Sequence, residues 1–431
     1  MAMLTGALLA AGIAAAQPAP EAPPAAAAPA PDQAVPADTP AIMPFDFSLT
    51  PGAKPAAPKP TAAPSKAAST AKPGAPGRTA AKPAAPAAPD PGERAALATL
   101  EAAQAAKFRG TLLVGSGEDS YTLIVGVPDG ERPVDSGDGR WRWASITKQI
   151  VAVMALMEVE NGHLALDEPV AKHLGGLKLP NADTITLRQL LQHTSGLAND
   201  ADGPKDADGR PLTYAAAAPE PENAIPPACL AKPRAAPGDS FQYNNCDYLV
   251  VGRILESVTG RPLSVLLAER ITVPLGMTET RLAPPGQRLT TPAGPDPTWT
   301  DDGYDETRFG AAAAITGPAK DLFRFDQALA DGKLLKPELL AELWRGNPKL
   351  GYAALGSWTY TVPLKGCAAP VRLVERRGEV GNAQSLNVIA PQTGRVLIAF
   401  TTSPAEFGEI WQGKGLSYEL VSAAVCTGSA G

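Results

Sequence analysis

The chain is short of the residues that bind metals and nucleic acids. Its 431 residues include four cysteines and three histidines. No two cysteines form a CxxC, and His163, His173 and His193 are too few and too scattered for zinc-ligand spacing. No metal site and no organic cofactor is therefore expected. A net charge of −6 excludes the cationic surface that a nucleic-acid partner needs. Long apolar runs are also missing. The one apolar stretch at the start, Met1–Ala16, is shorter than the ~20 residues a membrane-spanning helix takes.

Proline is abundant at 46 residues, but it is concentrated with alanine before residue 92. Three regions follow from this. Residues 1–16 end in Ala14-Ala15-Ala16-Gln17, an A-x-A site after an apolar core, and read as a secretory signal, although no Lys or Arg precedes Lys54. Residues 17–92 are Ala/Pro-rich with scattered lysines and no apolar periodicity, so they are expected to form an extended, disordered spacer. Residues 93–431 carry the patterning of a folded domain. Export places the protein in the periplasm or outside the cell, where disulfides persist and an even cysteine count has meaning.

Within the third region, Glu93 to Ala106 is predicted helical. Phe108–Val114 and Tyr121–Val125 alternate as a hairpin. Gln149–Val159 is apolar on nearly every side, so its helix belongs in the middle of the molecule, stopping at Asn161-Gly162. Helices are predicted to begin at Leu166–Pro169 and to span Thr186–His193, Asp247–Val258, Leu263–Arg270, Asp321–Ala330 and Leu416–Cys426. Strands are predicted at Gly356–Pro363, Arg372–Glu375, Ser385–Ala390 and Arg395–Thr401. The order is helix and strands, a helical middle, then strands and a helix. It implies an α/β (α+β) fold in which both ends of the chain complete one sheet and a helical lobe is inserted.

Trp141-Arg142-Trp143-Ala144-Ser145-Ile146-Thr147-Lys148 opens the apolar helix. A hydroxyl at a helix mouth and an amine one turn later share a face, the layout of a serine nucleophile beside a lysine. Helix-end N–H groups suit a developing oxyanion, and a desolvated lysine has a lowered pKa. S-x-x-K alone is a weak signal: Ser69-Thr70-Ala71-Lys72 matches too, in the spacer, where nothing would hold the pair. A second element is Tyr243-Asn244-Asn245. On a tight loop it can present a phenol and an amide to one cavity, and a phenol near positive charge can serve as general base. Taken by itself it is equally an Asn-rich turn with a packed tyrosine.

Together these motifs resemble the serine β-lactamase and penicillin-binding-protein superfamily, in the branch of class C β-lactamases, D,D-carboxypeptidases and related esterases. The resemblance spans about Phe108 to Thr402. It rests on Ala144–Lys148, on Leu190-Leu191-Gln192-His193-Thr194-Ser195-Gly196-Leu197, on Tyr243–Asn245 and on Pro274-Leu275-Gly276-Met277. It implies a β-lactamase/transpeptidase-like three-layer sandwich with an antiparallel sheet. It also implies an acylated Ser145, proton transfer by Lys148 and Tyr243, and support from Asn245. His193 is read as a structural histidine.

The third family motif departs from its pattern. In place of Lys-Thr-Gly or His-x-Gly stands Arg376-Arg377-Gly378, on a predicted β-run ending in Gly381, with Lys365-Gly366 a poorer alternative. Arg376 is expected to grip a substrate carboxylate, Gly378 to let substrate approach, and the Glu379 amide to complete an oxyanion hole with that of Ser145. This departure puts β-lactam hydrolysis behind ester, amide or D-amino-acid peptide hydrolysis. Four cysteines allow three pairings. Cys229–Cys246 would stiffen the Tyr243 loop, and Cys367–Cys426 would pin the last helix to a strand. The expected partner is a small-molecule or peptide substrate, cell-wall peptides included. The competing reading is a catalytically impaired envelope-binding protein of the same fold. The loops Asn199–Lys232 and Ala283–Arg308, which would shape the pocket, carry no motif.

Overall fold

In the computed structural model, which describes residues 89–126, 140–215, 223–238, 240–284, 303–402 and 405–427, the two ends of the chain share one sheet. The signal segment, the spacer up to residue 88 and the Ser69/Lys72 pair lie outside the described residues.

The chain enters through α1 (Pro91–Ala105) and the hairpin β1 (Gly110–Ser116) and β2 (Asp119–Val125). A short strand β3 (Trp141–Arg142) leads to α2 (Thr147–Glu160). The helical lobe adds α3 (Leu187–Leu191), α4 (Asn245–Thr259), α5 (Leu263–Leu267), α6 (Gly310–Ala313), α7 (Ala319–Ala330) and α8 (Pro337–Leu343). The strands β4 (Arg281–Leu282) and β5 (Ile315–Gly317) fall between them. Then come β6 (Trp358–Val362), β7 (Val371–Val380), β8 (Ala383–Ala390), β9 (Arg395–Thr401) and α9 (Leu416–Cys426). The main sheet is antiparallel in the order β2-β1-β9-β8-β7-β6, and β3-β5-β4 form a second, small sheet.

Strand alternation makes the three layers. Leu112 and Val114 of β1, with Leu397 and Ala399 of β9, face Ala95 and Ala103 of α1 and Leu420 and Ala424 of α9. Leu113, Ile398 and Phe400 point the other way, into a larger core built on α2. Every residue of α2 from Thr147 to Leu156 is buried, as its all-round apolar sequence required. The expected fold class and layering are therefore those observed.

Several local expectations differ. No α-helix starts at Leu166–Pro169. Pro169 is extended and bridges Thr186, and only a 3₁₀ turn, Val170–His173, follows. The helix begun at Leu263 is α-helical to Leu267 and continues as a π turn over Ala268–Thr272. Helix α8 carried the proline-first, apolar-spaced pattern of a short helix and was not anticipated. Strand β7 joins the expected strand Arg372–Glu375 and the β-run expected through Arg376–Gly378 to Gly381 into one strand. Its Glu-Arg-Arg-Gly-Glu sequence argues against a strand, but the charges are neutralised locally: Arg377 bonds Glu375 (2.5 Å) and pairs with Glu409 (3.6 Å).

That extension positions the site. β6 begins at Trp358, opposite Glu375, so from Arg376 onward no strand among the described residues pairs with β7 on that side. The segment Trp143–Ser145 lies against the sheet face at Gly378 and its β8 partner Ser385, fixed by Trp143 N–H donating to the Ile315 carbonyl (3.1 Å), Trp143 Nε1–H to Gly317 O (2.8 Å) and Ser385 Oγ–H to Trp143 O (2.9 Å). Gly378 is what permits the approach. A Cβ there would stand 2.6 Å from Trp143 O and 2.7 Å from Ser145 N.

Both disulfides pair as expected, Cys229–Cys246 and Cys367–Cys426. The first ties the opening turn of α4 to the 3₁₀ turn Pro227–Leu230. The second joins the last residue of α9 to the loop after β6, not to a strand. The Cys229–Cys246 link closes a loop with a sequence separation of 17. Replacing both cysteines by alanine should lower unfolding free energy by roughly 2–4 kcal/mol, read as a shift in denaturant midpoint. An unchanged midpoint, or free thiols in unreduced unfolded protein, would contradict the assignment.

Candidate active site

Ser145 sits in a 3₁₀ turn, Ala144–Ile146, that feeds α2. Ala144 before it has φ 47°, left-handed backbone that a non-glycine residue adopts at a cost of order 1–3 kcal/mol. The turn sets the hydroxyl beside the amine one helical turn on. Lys148 Nζ is 3.0 Å from Ser145 Oγ, 2.8 Å from Asn245 Oδ1 and 2.9 Å from the Ala312 carbonyl. All three ammonium donors are thereby used, and the side chain is fully buried. Burial, reinforced by the Arg376 cation and opposed by Tyr243, pushes Lys148 down to about 8.

Tyr243 reaches the same hydroxyl from the loop before α4. Its OH lies 2.7 Å from Ser145 Oγ. The loop is held from both sides. Asn244 caps α4, accepting from Cys246 N–H (2.8 Å), and its Nδ2–H₂ donates to the Leu197 and Ala198 carbonyls at 3.0 Å each. Gln242 N–H donates to His193 O (2.7 Å), and Asn244 N–H to His193 Nδ1 (3.3 Å). His193 therefore braces the loop, its ring centroid 4.5 Å from that of Tyr243, and it does not reach Ser145 among the contacts found. Burial, then the Arg376 and Lys148 charges, hold His193 well below its usual pKa, and burial raises its partner Asp247 well above. The two groups are 3.0 Å apart, and both shifts favour their uncharged forms.

Arg376 does not stand open to the cleft as a carboxylate clamp would. It is 1% exposed. Its Nε–H donates to the Ser145 carbonyl (2.8 Å) and Nη2–H to the Tyr243 oxygen (2.7 Å). Its guanidinium carbon lies 5.0 Å from the Trp358 ring centroid and 5.3 Å from that of Tyr243. The consequence falls on Tyr243. Burial raises the phenol, but the Arg376 and Lys148 charges outweigh it and leave Tyr243 below its ordinary value.

The structure thus brings together Ser145, Lys148, Tyr243, Asn245, Arg376 and Gly378, and sets Glu379 next along the β7 edge. Glu379 is half-buried, and burial pushes its carboxyl up to about 7. Sequence reasoning missed three contributors. Trp358 backs Arg376. Tyr214 OH accepts from Asn245 Nδ2–H₂ (3.0 Å). Asp200, fully buried, is raised by burial to about 6 and lies within electrostatic reach of Lys148. None of the three carried a local signal, in contrast to Asn244, an N-cap residue before an apolar helix. Among the described residues no cluster of His, Cys, Asp and Glu could hold a metal ion.

Comparison with known proteins agrees with this geometry. A family model described as Beta-lactamase matches residues 97–410. The chain is 30% identical over 195 residues to a putative penicillin-binding protein, PbpX, of Bacillus subtilis, covering 44% of this chain and 46% of the relative. It is 33% identical over 146 residues to the D-alanyl-D-alanine-carboxypeptidase/endopeptidase AmpH of Escherichia coli, covering 33% and 37%. It is 34% identical over 175 residues to the esterase EstB of Burkholderia gladioli, covering 37% and 43%. The chain spans less than half the length of each of these curated relatives. Among solved structures, a D-stereospecific amidohydrolase from Streptomyces sp. aligns with TM-score 0.58 and 27% identity over 78% of this chain and 99% of its own. A D-amino acid amidase from Ochrobactrum anthropi SV3 shares the fold, with TM-score 0.62 and 21% identity over 77% and 97%. With the match running across the whole sheet and helical lobe, the chain belongs to the Beta-lactamase family, in the serine-hydrolase superfamily of β-lactamases and penicillin-binding proteins.

Proposed function

We propose that the protein is an exported serine hydrolase that cleaves an ester or amide through an acyl-enzyme on Ser145. The observation that carries this reading is the convergence of Lys148 Nζ and Tyr243 OH on one hydroxyl oxygen, at 3.0 and 2.7 Å. Ser145 Oγ attacks the substrate carbonyl carbon. Its proton passes to the Tyr243–Lys148 pair, in which either the phenolate or the neutral amine is the acceptor. The carbonyl oxygen, now negative, is taken up by the amides of Ser145 and Glu379; the contact of Gly378 with Ser145 supports that placement. The C–O or C–N bond then breaks, and the leaving group takes the proton. Water, deprotonated by the same pair, attacks the acyl ester and returns Ser145. Asn245 keeps Lys148 in place throughout.

A complete proton-transfer set favours turnover over a binding protein that has lost it. The carboxypeptidase, esterase and amidohydrolase among the similar proteins support an ester or amide of an acyl or D-amino acid, with β-lactams a further class. Export is supported by the N-terminal apolar stretch and by two disulfides.

Three outcomes are expected. Ser145→Ala should lower kcat/KM for p-nitrophenyl acetate by at least about 10³-fold; undiminished hydrolysis would sink the proposal. The rate should rise with pH through about 8, as Lys148 loses its proton. The Arg376 cation lowers both Lys148 and Tyr243, so removing it raises both. Arg376→Gln, which keeps a donor for the Ser145 carbonyl, should move the ascending limb upward by on the order of one pH unit. A limb that stays put or moves down would contradict the assignment.

A further inference from the structure

The cations that reach Ser145 are used inside the protein, and this bears on the leaving group. Lys148 has each of its three donors on a protein oxygen: Ser145 Oγ, Asn245 Oδ1 and the Ala312 carbonyl. Arg376 is held by two charge-assisted hydrogen bonds, at 2.8 Å to Ser145 O and 2.7 Å to Tyr243 OH. Trp358 lies on its guanidinium. Turning Arg376 outward to meet a substrate would strip a buried carbonyl and a phenol of their partner and uncover an aromatic face. Each lost charge-assisted bond is of the size that decides binding. The buried acid Asp200 lies within electrostatic reach of the lysine and adds no positive charge to the site. A substrate carboxylate entering beside β7 would thus be desolvated with neither Lys148 nor Arg376, the two cations that reach Ser145 among the described residues, released to meet it.

We infer that the enzyme's substrates are neutral on the leaving-group side, esters or primary amides of an acyl or D-amino acid, and that Arg376, by its commitment to Ser145 and Tyr243, excludes peptides ending in a free carboxylate. The inference rests on the acyl-enzyme reading above and narrows it. Arg376 then sets specificity by being unavailable: it serves the proton-transfer pair, and the recognition task expected of this motif goes unfilled.

The test uses the full chain and a matched pair, N-acetyl-D-alanyl-D-lactate and its methyl ester, which share the scissile ester and differ in one carboxylate. Each is measured as a substrate and as a competitor of p-nitrophenyl acetate. The methyl ester should show a kcat/KM, and a competitive affinity, about tenfold or more above those of the acid. Equal behaviour of the two at any strength, or a preference for the acid, overturns the inference while Ser145-dependent cleavage of p-nitrophenyl acetate stands. Cleavage of p-nitrophenyl acetate that survives Ser145→Ala instead removes the acyl-enzyme reading beneath it.

Discussion

One guanidinium links the parts of this site. Arg376 bonds the backbone of the nucleophile through Nε and the proposed general base through Nη2, so the sheet, the nucleophile turn and the tyrosine loop meet at a single side chain. Its position depends on a detail of the sheet: β6 begins at Trp358, opposite Glu375, so from Arg376 onward that side of β7 carries no described strand. The tryptophan that begins β6 also supplies the ring on which Arg376 lies.

The charges explain why so much polar chemistry is tolerated inside a packed core. Lys148, Arg376, His193, Asp200 and Asp247 are all at most 3% exposed. Two cations set against a phenol that can lose its proton reduce their own repulsion, and the same arrangement brings Tyr243 within reach of ionisation. Below them the His193–Asp247 pair, whose shifts favour the uncharged forms, fills polar space. Asn244 and the Cys229–Cys246 disulfide then fix the tyrosine loop, so that the phenol is delivered by backbone geometry.

What could be read from sequence was what is written in consecutive residues. Ser145 and Lys148 lie one helical turn apart, Tyr243 and Asn245 flank a helix cap, and β1, β9 and α9 follow plain periodicity. The two disulfides are one of the three pairings that four cysteines allow, the one suggested by the position of Cys246 beside Asn245. The rest depends on contacts between distant segments. Nothing local announces that Trp358 will lie on Arg376, or that Asp200 and Asp247 will be buried. The charges of β7 lower its strand propensity, and the pairing of Arg377 with Glu375 and Glu409, which no local pattern announces, offsets them. For the same reason Arg376 read as a substrate clamp. Its alternation placed it on the right face, but its donors are taken by partners more than a hundred residues away in the chain.

The central claim is that buried Arg376 and Lys148 make the Tyr243 phenolate accessible. The most direct measurement is an ultraviolet tyrosinate titration of the wild-type protein, from which that of Tyr243→Phe is subtracted. The account predicts a single phenol ionising below the ordinary value of about 10, absent when Arg376 is replaced by glutamine. A Tyr243 that titrates at or above that value in the wild-type protein would contradict it.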